Sequence, residues 1–225
     1  MISLTIDRRT AGTLGYPSKM PGTSYGISAH KCLTGSKLAK IEGSVCHGCY
    51  ALKGNYLYPD IKKAHRHRMR ALKSPKWVPA MVRMLTHMHS LDKHGQPRKG
   101  RNGPIVPGWH RWHDSGDLQS IEHLARICEI ARQTPQIRHW LPTREGTMLR
   151  DYVAQGGIVP ANLVVRLSAT MVDGPAPKAW PTTSGVHKDK APQGFDCGAR
   201  HRGGKCGPCR ACWDPSVPHV SYPKH

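Results

Sequence analysis

The chain has a single phenylalanine in 225 residues, an aromatic fraction of 6%, and only 14 acidic side chains against 34 Lys and Arg. Each shortage excludes something. Few aromatics and an apolar fraction of 38% allow a modest core, while 23 Gly and 19 Pro send much of the backbone into loops. No apolar run approaches the roughly 18 residues of a membrane span. The opening MISLTIDRRT lacks the layout of a secretory signal. The expectation is a soluble cytoplasmic protein with no membrane partner. The shortage of acids leaves a formal net charge of +20, which makes nucleic acid the expected partner.

The charge is not evenly spread: residues 31–101 hold 16 Lys and Arg against Glu42, Asp60 and Asp92. Within that stretch the pattern predicts a helix over 60–73, with Lys62, Arg66, Arg70 and Lys73 along one side and Ile61, Ala64, Met69 and Leu72 toward the other. Such a stripe can track phosphates or simply be a solvated helix face. A second helix is predicted over 76–90, where Trp77, Ala80, Met81, Met84, Leu85 and Met88 recur at core-facing spacing.

Further along, short apolar runs alternate with amphipathic segments. Strands are predicted over 109–112, 137–141 and 163–167, and helices over 118–132, capped by Asp117, and over 145–154, stopped by Gly156-Gly157. Strand starts recur every 26 to 28 residues, the length of a βα unit that feeds a parallel sheet. Segments 94–104 and 174–193 are rich in Gly, Pro and charge and read as irregular loops.

The eight cysteines are read as metal ligands, because a reducing cytosol disfavours a disulfide framework. Cys32, Cys46 and Cys49 form one set, C-x13-C-x2-C. Cys197, Cys206, Cys209 and Cys212 form another, C-x8-C-x2-C-x2-C. C-x2-C steps bring two thiolates onto one metal with a single turn of chain, and the C-x2-C-x2-C run favours an iron-sulfur cluster, with tetrahedral zinc the alternative at the C-terminal set. Arg200, Arg202, Lys205 and Arg210 offset the charge of such a cluster. Three thiolates at the first set leave a fourth position open to a ligand, or to His30, His47, His65 or a returning C-terminal cysteine. Cys128 lies on an apolar helix face and is a core residue. His110, His113, Asp114 and Asp117 form a weaker candidate for a hydrolytic metal site.

Lys19-Met20-Pro21, Ser24-Tyr25-Gly26, Lys31-Cys32, Val45-Cys46-His47-Gly48-Cys49-Tyr50-Ala51, the stretch from Arg111 to Asp117, and Cys209-Arg210-Ala211-Cys212-Trp213 resemble the phage-encoded gene product eighty-eight domain family, which implies a phage origin. More distantly, three cysteines in an N-terminal loop followed by βα units resemble the radical S-adenosylmethionine superfamily, although that pattern is C-x3-C-x2-C and the first gap here is thirteen residues. This resemblance implies an α/β partial (β/α) barrel over 1–175, with an irregular Cys-rich metal-binding segment over 176–225. It also implies a 4Fe-4S cluster on Cys32, Cys46 and Cys49 with S-adenosylmethionine on the open iron. Ser115, Asp117, Thr143, Arg144 and Ser168, at the carboxyl ends of strands, would line the cofactor and substrate pocket. Two functions follow as expectations: an iron-sulfur enzyme acting on or near nucleic acid, or a non-catalytic basic nucleic-acid-binding or host-interaction protein stabilised by iron-sulfur or zinc sites.

Overall fold

The βα rhythm does build a parallel sheet, and it carries the chain further than the spacing predicts. The structure, a computed structural model, describes residues 3–224. In chain order its elements are α1 (Leu4–Ala11), β1 (Thr23–Tyr25), α2 (Thr34–Leu38), α3 (Pro59–Ala71), α4 (Trp77–Met88), a short antiparallel pair β2 (Lys99–Gly100) and β3 (Gly103–Pro104), and β4 (Trp109–Trp112). Then come α5 (Ile121–Gln133), β5 (Arg138–Thr143), α6 (Gly146–Ala154), β6 (Leu163–Val172), β7 (Thr183–His187), β8 (Phe195–Asp196) and β9 (His219–Pro223). Seven strands form one sheet in the order β1-β4-β5-β6-β7-β9-β8, and every neighbouring pair is parallel. The fold is thus mixed α/β with a seven-stranded parallel sheet. No pairing joins β1 to β8, so closure into a barrel is not part of what is observed.

Alternate residues of the strands separate two faces. On one face Tyr25, Trp112, Leu141, Leu163, Val165 and Leu167 merge with the inner sides of α4, α5 and α6 into one core. The six apolar positions predicted for α4 are all buried there. A fully buried side chain of this kind stabilises the fold by about 1.5–3 kcal/mol. The opposite face carries Trp109, Arg111, Trp140 and Arg166, and the C-terminal segment covers it: the Trp213 ring lies 5.1 Å from Trp140 and 5.8 Å from Trp109.

Several boundaries differ from the periodic reading for identifiable reasons. Helix α5 begins three residues late because Ser120, whose hydroxyl accepts from the His123 amide, caps it instead of Asp117. Asp117 is occupied elsewhere, as described below. Helix α3 presents His65, Arg68 and Ala71 inward rather than a purely apolar side; Arg68 donates to the carbonyls of Thr13 and Gly26, and His65 bonds the Ser115 hydroxyl. Residues 176–225 are not merely irregular, since β7, β8 and β9 extend the sheet.

Arg166 holds that extension in place. Its side chain is wholly buried at the centre of β6 and has no ion-pair partner among the described residues. Its guanidinium donates five hydrogen bonds, to the carbonyls of Cys212, Thr183, Val217, Ala211 and Asp214, at 2.7–3.3 Å. Every donor of the fork is used. Replacement by Lys offers three donors on a point charge and leaves carbonyls bare. Arg166→Lys is therefore expected to lower the unfolding free energy by about 3 kcal/mol or more, read from the midpoint of urea denaturation. An unchanged midpoint would show that the fork does not secure the segment.

A cluster of buried histidines sets the pH range of the fold. His110 bonds the Thr23 hydroxyl, and His139 accepts from the Trp112 indole and meets Thr134. Burial pulls the pKa down to about 4 for His89 and about 3 for His123 and His139, and well below the usual value for His110. The unfolded chain takes up these protons near pH 6.5, whereas the folded chain does not until about pH 3–4. Their stabilising contribution is thus present above pH 6.5 and lost as pH falls through that window. The unfolding free energy should be level above pH 7 and drop with a slope of more than one proton between about pH 6 and 4, as followed by denaturant titration at each pH.

Candidate functional site

The first cysteine set sits over the carboxyl ends of β4, β5 and β6. Cys32 follows the turn after β1, and Cys46 and Cys49 share a tight turn closed by the Cys49 amide on the Cys46 carbonyl. This long loop is tied to the strand ends at three places. Val45 donates to Thr170, and Val172 to Gly43, around a bridge between Ser44 and Met171 that extends β6. Gln119, after β4, donates to the Lys31 carbonyl. Glu145, at the start of α6, accepts from both the amide and the hydroxyl of Thr34, at 2.9 and 2.8 Å.

Two of the sulfurs converge on Gly35. A Cβ built there would stand 3.0 Å from the Cys32 Cβ, a tight approach, and in ordinary contact with the Cys46 Sγ at 3.5 Å and the Cys32 Sγ at 3.6 Å. Burial pushes the Cys32 thiol up to about 12, with Asp117, Cys46 and Cys49 adding to the rise and Arg144 opposing it. The Cys46 thiol is raised likewise, first by burial, and again Arg144 opposes. Thiols so raised are poor nucleophiles; as metal ligands they deprotonate on binding. Arg144 brings its cation to the pair with its Nε sealed from solvent and without a partner. The predicted fourth ligands do not join them: His30 and His47 are exposed, and His65 is bonded to Ser115.

Of the five residues that the superfamily resemblance placed in a pocket, three are internal posts. Asp117 accepts from the Leu118 amide, the Thr143 hydroxyl and the Arg144 amide, at 2.7, 2.6 and 2.9 Å, thereby locking the end of β4 to the end of β5. Burial raises its pKa to about 6 against those bonds. Thr143 in turn accepts from the Glu145 amide, and Ser115 donates to the Ile27 carbonyl. Gly116 makes this turn possible: its φ of +79° and the Ile27 carbonyl, 2.8 Å from where a Cβ would stand, admit no side chain. Arg144 and Ser168 do line an open groove of about 550 Å³, together with Thr34, Thr147, Arg150 and Thr170. The groove lies at the carboxyl edge of the sheet beside the cysteine loop, where α/β folds place ligands.

The second set is assembled by β9 and Arg166. Cys197 donates its amide to Ser221, Cys206 to Lys19, and Cys209 to Cys206. The Cys212 sulfur lies 3.1 Å from the Tyr222 hydroxyl. Burial pushes Cys212 up to about 12 and raises Cys206; Cys197 adds to both, and Cys209 to Cys206. Cations oppose the rise at each: Arg166 at Cys212, Arg111 and Arg210 at Cys206. Arg111 stacks 4.5 Å over Trp140, reaches the Met20 sulfur, and keeps a sealed Nε without a partner. Its electrostatic neighbours are Tyr50 and Asp114 from the side of the first set, and Tyr222 and Cys212 from the second. One buried guanidinium therefore stands between the two cysteine loops.

Among the described residues, no three His, Cys, Asp or Glu side chains are placed to hold one metal ion. His110, His113, Asp114 and Asp117 do not gather: His110 points into the helix-side core, and His113 packs against His123. Cys128 is buried in the core, as its helix face predicts. Lys62, Arg66, Arg70 and Lys73 are exposed, with Lys73 just past the end of α3. The residues missed in the sequence are Thr34, Arg111, Glu145, Arg150 and Arg166. Only Arg166 carried a signal, as a lone cation inside the apolar run Leu163-Val164-Val165 and Leu167.

Glu145 is the link that can be cut without touching a thiol. Glu145→Ala removes both bonds to Thr34, worth about 2 kcal/mol together. Hydrogen exchange of residues 34–39 is expected to speed by about tenfold or more while that of α5 stays unchanged; unchanged exchange in 34–39 would mean that the loop is held by other contacts.

No similar curated protein and no similar solved structure was found, and no helix among the described residues is long and apolar enough to cross a membrane. The family model described as Gene product 88 matches residues 5–215, nearly the whole chain including both cysteine sets. The chain is a member of the Gene product 88 family.

Proposed function

We propose that this phage-family protein is an iron-sulfur protein with a 4Fe-4S cluster on Cys32, Cys46 and Cys49. In the same reading Cys197, Cys206, Cys209 and Cys212 carry a second iron-sulfur site, with zinc as the alternative, and the protein acts as a radical S-adenosylmethionine-like enzyme on or near nucleic acid in the host cytoplasm. The observation that carries the reading is the convergence of two thiols of raised pKa, Cys32 and Cys46, at the carboxyl edge of a parallel sheet, near an Arg144 whose Nε has no partner. A cluster spreads its thiolates over several corners and so takes a wider ligand set than one ion does. The strand order, sequential from β1 to β7, suits an open partial barrel with its site at the strands' carboxyl ends.

A three-thiolate 4Fe-4S cluster supplies one-electron chemistry and an iron position open to a cofactor such as S-adenosylmethionine. The chain's own residues would do the rest. Arg144 offsets thiolate charge, Glu145 and Thr34 hold the cysteine loop against β5, and Gly35 leaves room beside two sulfurs. The groove bounded by Arg144, Arg150 and Ser168 gives a small anionic molecule access beside the first set. A second reading, a non-catalytic nucleic-acid-binding protein stapled by metal, is favoured by the exposed cations Lys62, Arg66, Arg70 and Lys73.

Purification without oxygen separates these readings. The expected result is a brown protein with about four irons and matching sulfide for each cluster, a stoichiometry that falls by one cluster in a Cys46→Ser, Cys49→Ser variant. Addition of S-adenosylmethionine should change the electron paramagnetic resonance spectrum of the reduced protein. No spectral change would sink the radical-enzyme reading, and a colourless protein with stoichiometric zinc would sink the cluster itself.

A further inference from the structure

The outer side of α3 differs from the charged faces of α4 and α5. Tyr58, which precedes the helix, and Lys62, Arg66 and Arg70 recur at four-residue steps and so lie in one row, about 18 Å long from Tyr58 to Arg70 at 1.5 Å per residue. All four are exposed, and none of the three cations is in an ion pair among the described residues. On α5, by contrast, Arg126 pairs with Glu122 and Arg132 with Glu129, and Arg83 of α4 pairs with Asp7. Asp60 is the sole acid of α3, and its position two residues from Tyr58 puts it on the other side of the helix. The row cannot roll inward, because His65 and Arg68 pin the inner side to Ser115, Thr13 and Gly26.

Aromatic surface accompanies the charge at one end. Tyr58 is 60% exposed and Tyr50, the residue after Cys49, is 56% exposed. Tyr50 reaches α3 through Tyr56: its ring lies 5.8 Å from Tyr56, whose ring lies 6.0 Å from His65 at the middle of α3, and its hydroxyl donates to the Asp114 carbonyl. Phosphates alone would ask only for cations. Exposed rings beside a row of cations ask for a polyanion whose bases are free to stack, which a duplex does not offer.

We propose that the row Tyr58, Lys62, Arg66 and Arg70 is a binding surface for single-stranded nucleic acid, and that exposed Tyr50, next to Cys49, extends it toward the first cysteine set. The proposal rests on the nucleic-acid part of the reading above and is independent of which metal the cysteines hold. The cations neutralise backbone phosphates without regard to sequence, and the tyrosines stack on bases.

Fluorescence anisotropy on labelled oligothymidylate, oligouridylate and a hairpin duplex of equal charge tests it, with iron content measured on the same samples. The parent should bind the single strands at least tenfold more tightly than the hairpin, and the tighter of the two oligomers identifies DNA or RNA as the strand. Combining Lys62→Gln, Arg66→Gln and Arg70→Gln should weaken single-strand binding more than tenfold and reduce the salt slope by about two. Tyr58→Ala should cost about tenfold on single strands and almost nothing on the hairpin. All four positions are exposed, so iron content and helicity should stay at the parent's level. Binding within twofold of the parent in the triple variant, equal affinity for the hairpin, or no binding of any oligonucleotide would each overturn the surface. A parent protein that binds the single strands but holds no iron would count against the cluster reading alone and leave the surface standing.

Discussion

A single buried cation, Arg166, organises half of this molecule. An arginine inside a parallel strand, with no carboxylate in ion-pair contact, is tolerable only if all its donors are satisfied. The five carbonyls that satisfy them belong to Thr183 at the start of β7 and to four residues between Ala211 and Val217. The bonds therefore fold the C-terminal segment back across the second face of the sheet. They set Trp213 against Trp109 and Trp140, position Cys212 near Tyr222, and deliver β9 to its place beside β7. The retained positive charge favours the ionised form of one thiol, that of Cys212.

The same economy of charge recurs at the carboxyl edge. Asp117, Thr143 and Glu145 form a relay in which each polar atom has a defined partner, and the relay ends on Thr34, two residues past Cys32. The cysteine loop is thus carried by a buried hydrogen-bond network rather than by apolar packing, as a chain with so small an aromatic fraction requires. Among the buried polar atoms without a partner are the Nε atoms of Arg144, near the first cysteine set, and of Arg111, between the two sets. Buried guanidinium atoms without partners are costly, and anionic thiolate centres are the chemistry that would repay them under the reading proposed above.

Much of the helix-side core was legible in the sequence. The apolar spacing of α4, the strand Trp109–Trp112 and the recurrence of βα units depend on periodicities that only nearest neighbours along the chain enforce, and they hold to within a few residues. The failures have equally local explanations. Strand β1 is three residues of mixed character, and β8 two, so neither generates a period. Strand β7 reads Thr-Ser-Gly-Val-His, which propensity alone does not mark as sheet, and it becomes one by pairing with β6 and β9. By sequence Asp117 is a helix cap, as a carboxylate before an apolar run usually is; tertiary partners 26 and 27 residues away take it instead.

Side-chain chemistry and charge were determined by the sequence alone: seven cysteines in two spaced sets, an excess of cations concentrated ahead of β4, and a row of them on one side of α3. These are properties of residue type and short-range spacing, which no fold can alter. The tertiary structure decided which of those groups meet. It brought the first cysteine loop to three strand ends, turned Ser115, Asp117 and Thr143 from pocket residues into buried posts, and set Arg111 between loops 150 residues apart in the chain. Such meetings depend on strand register and on the partners each buried polar group can find, and both are settled only when distant segments pack together.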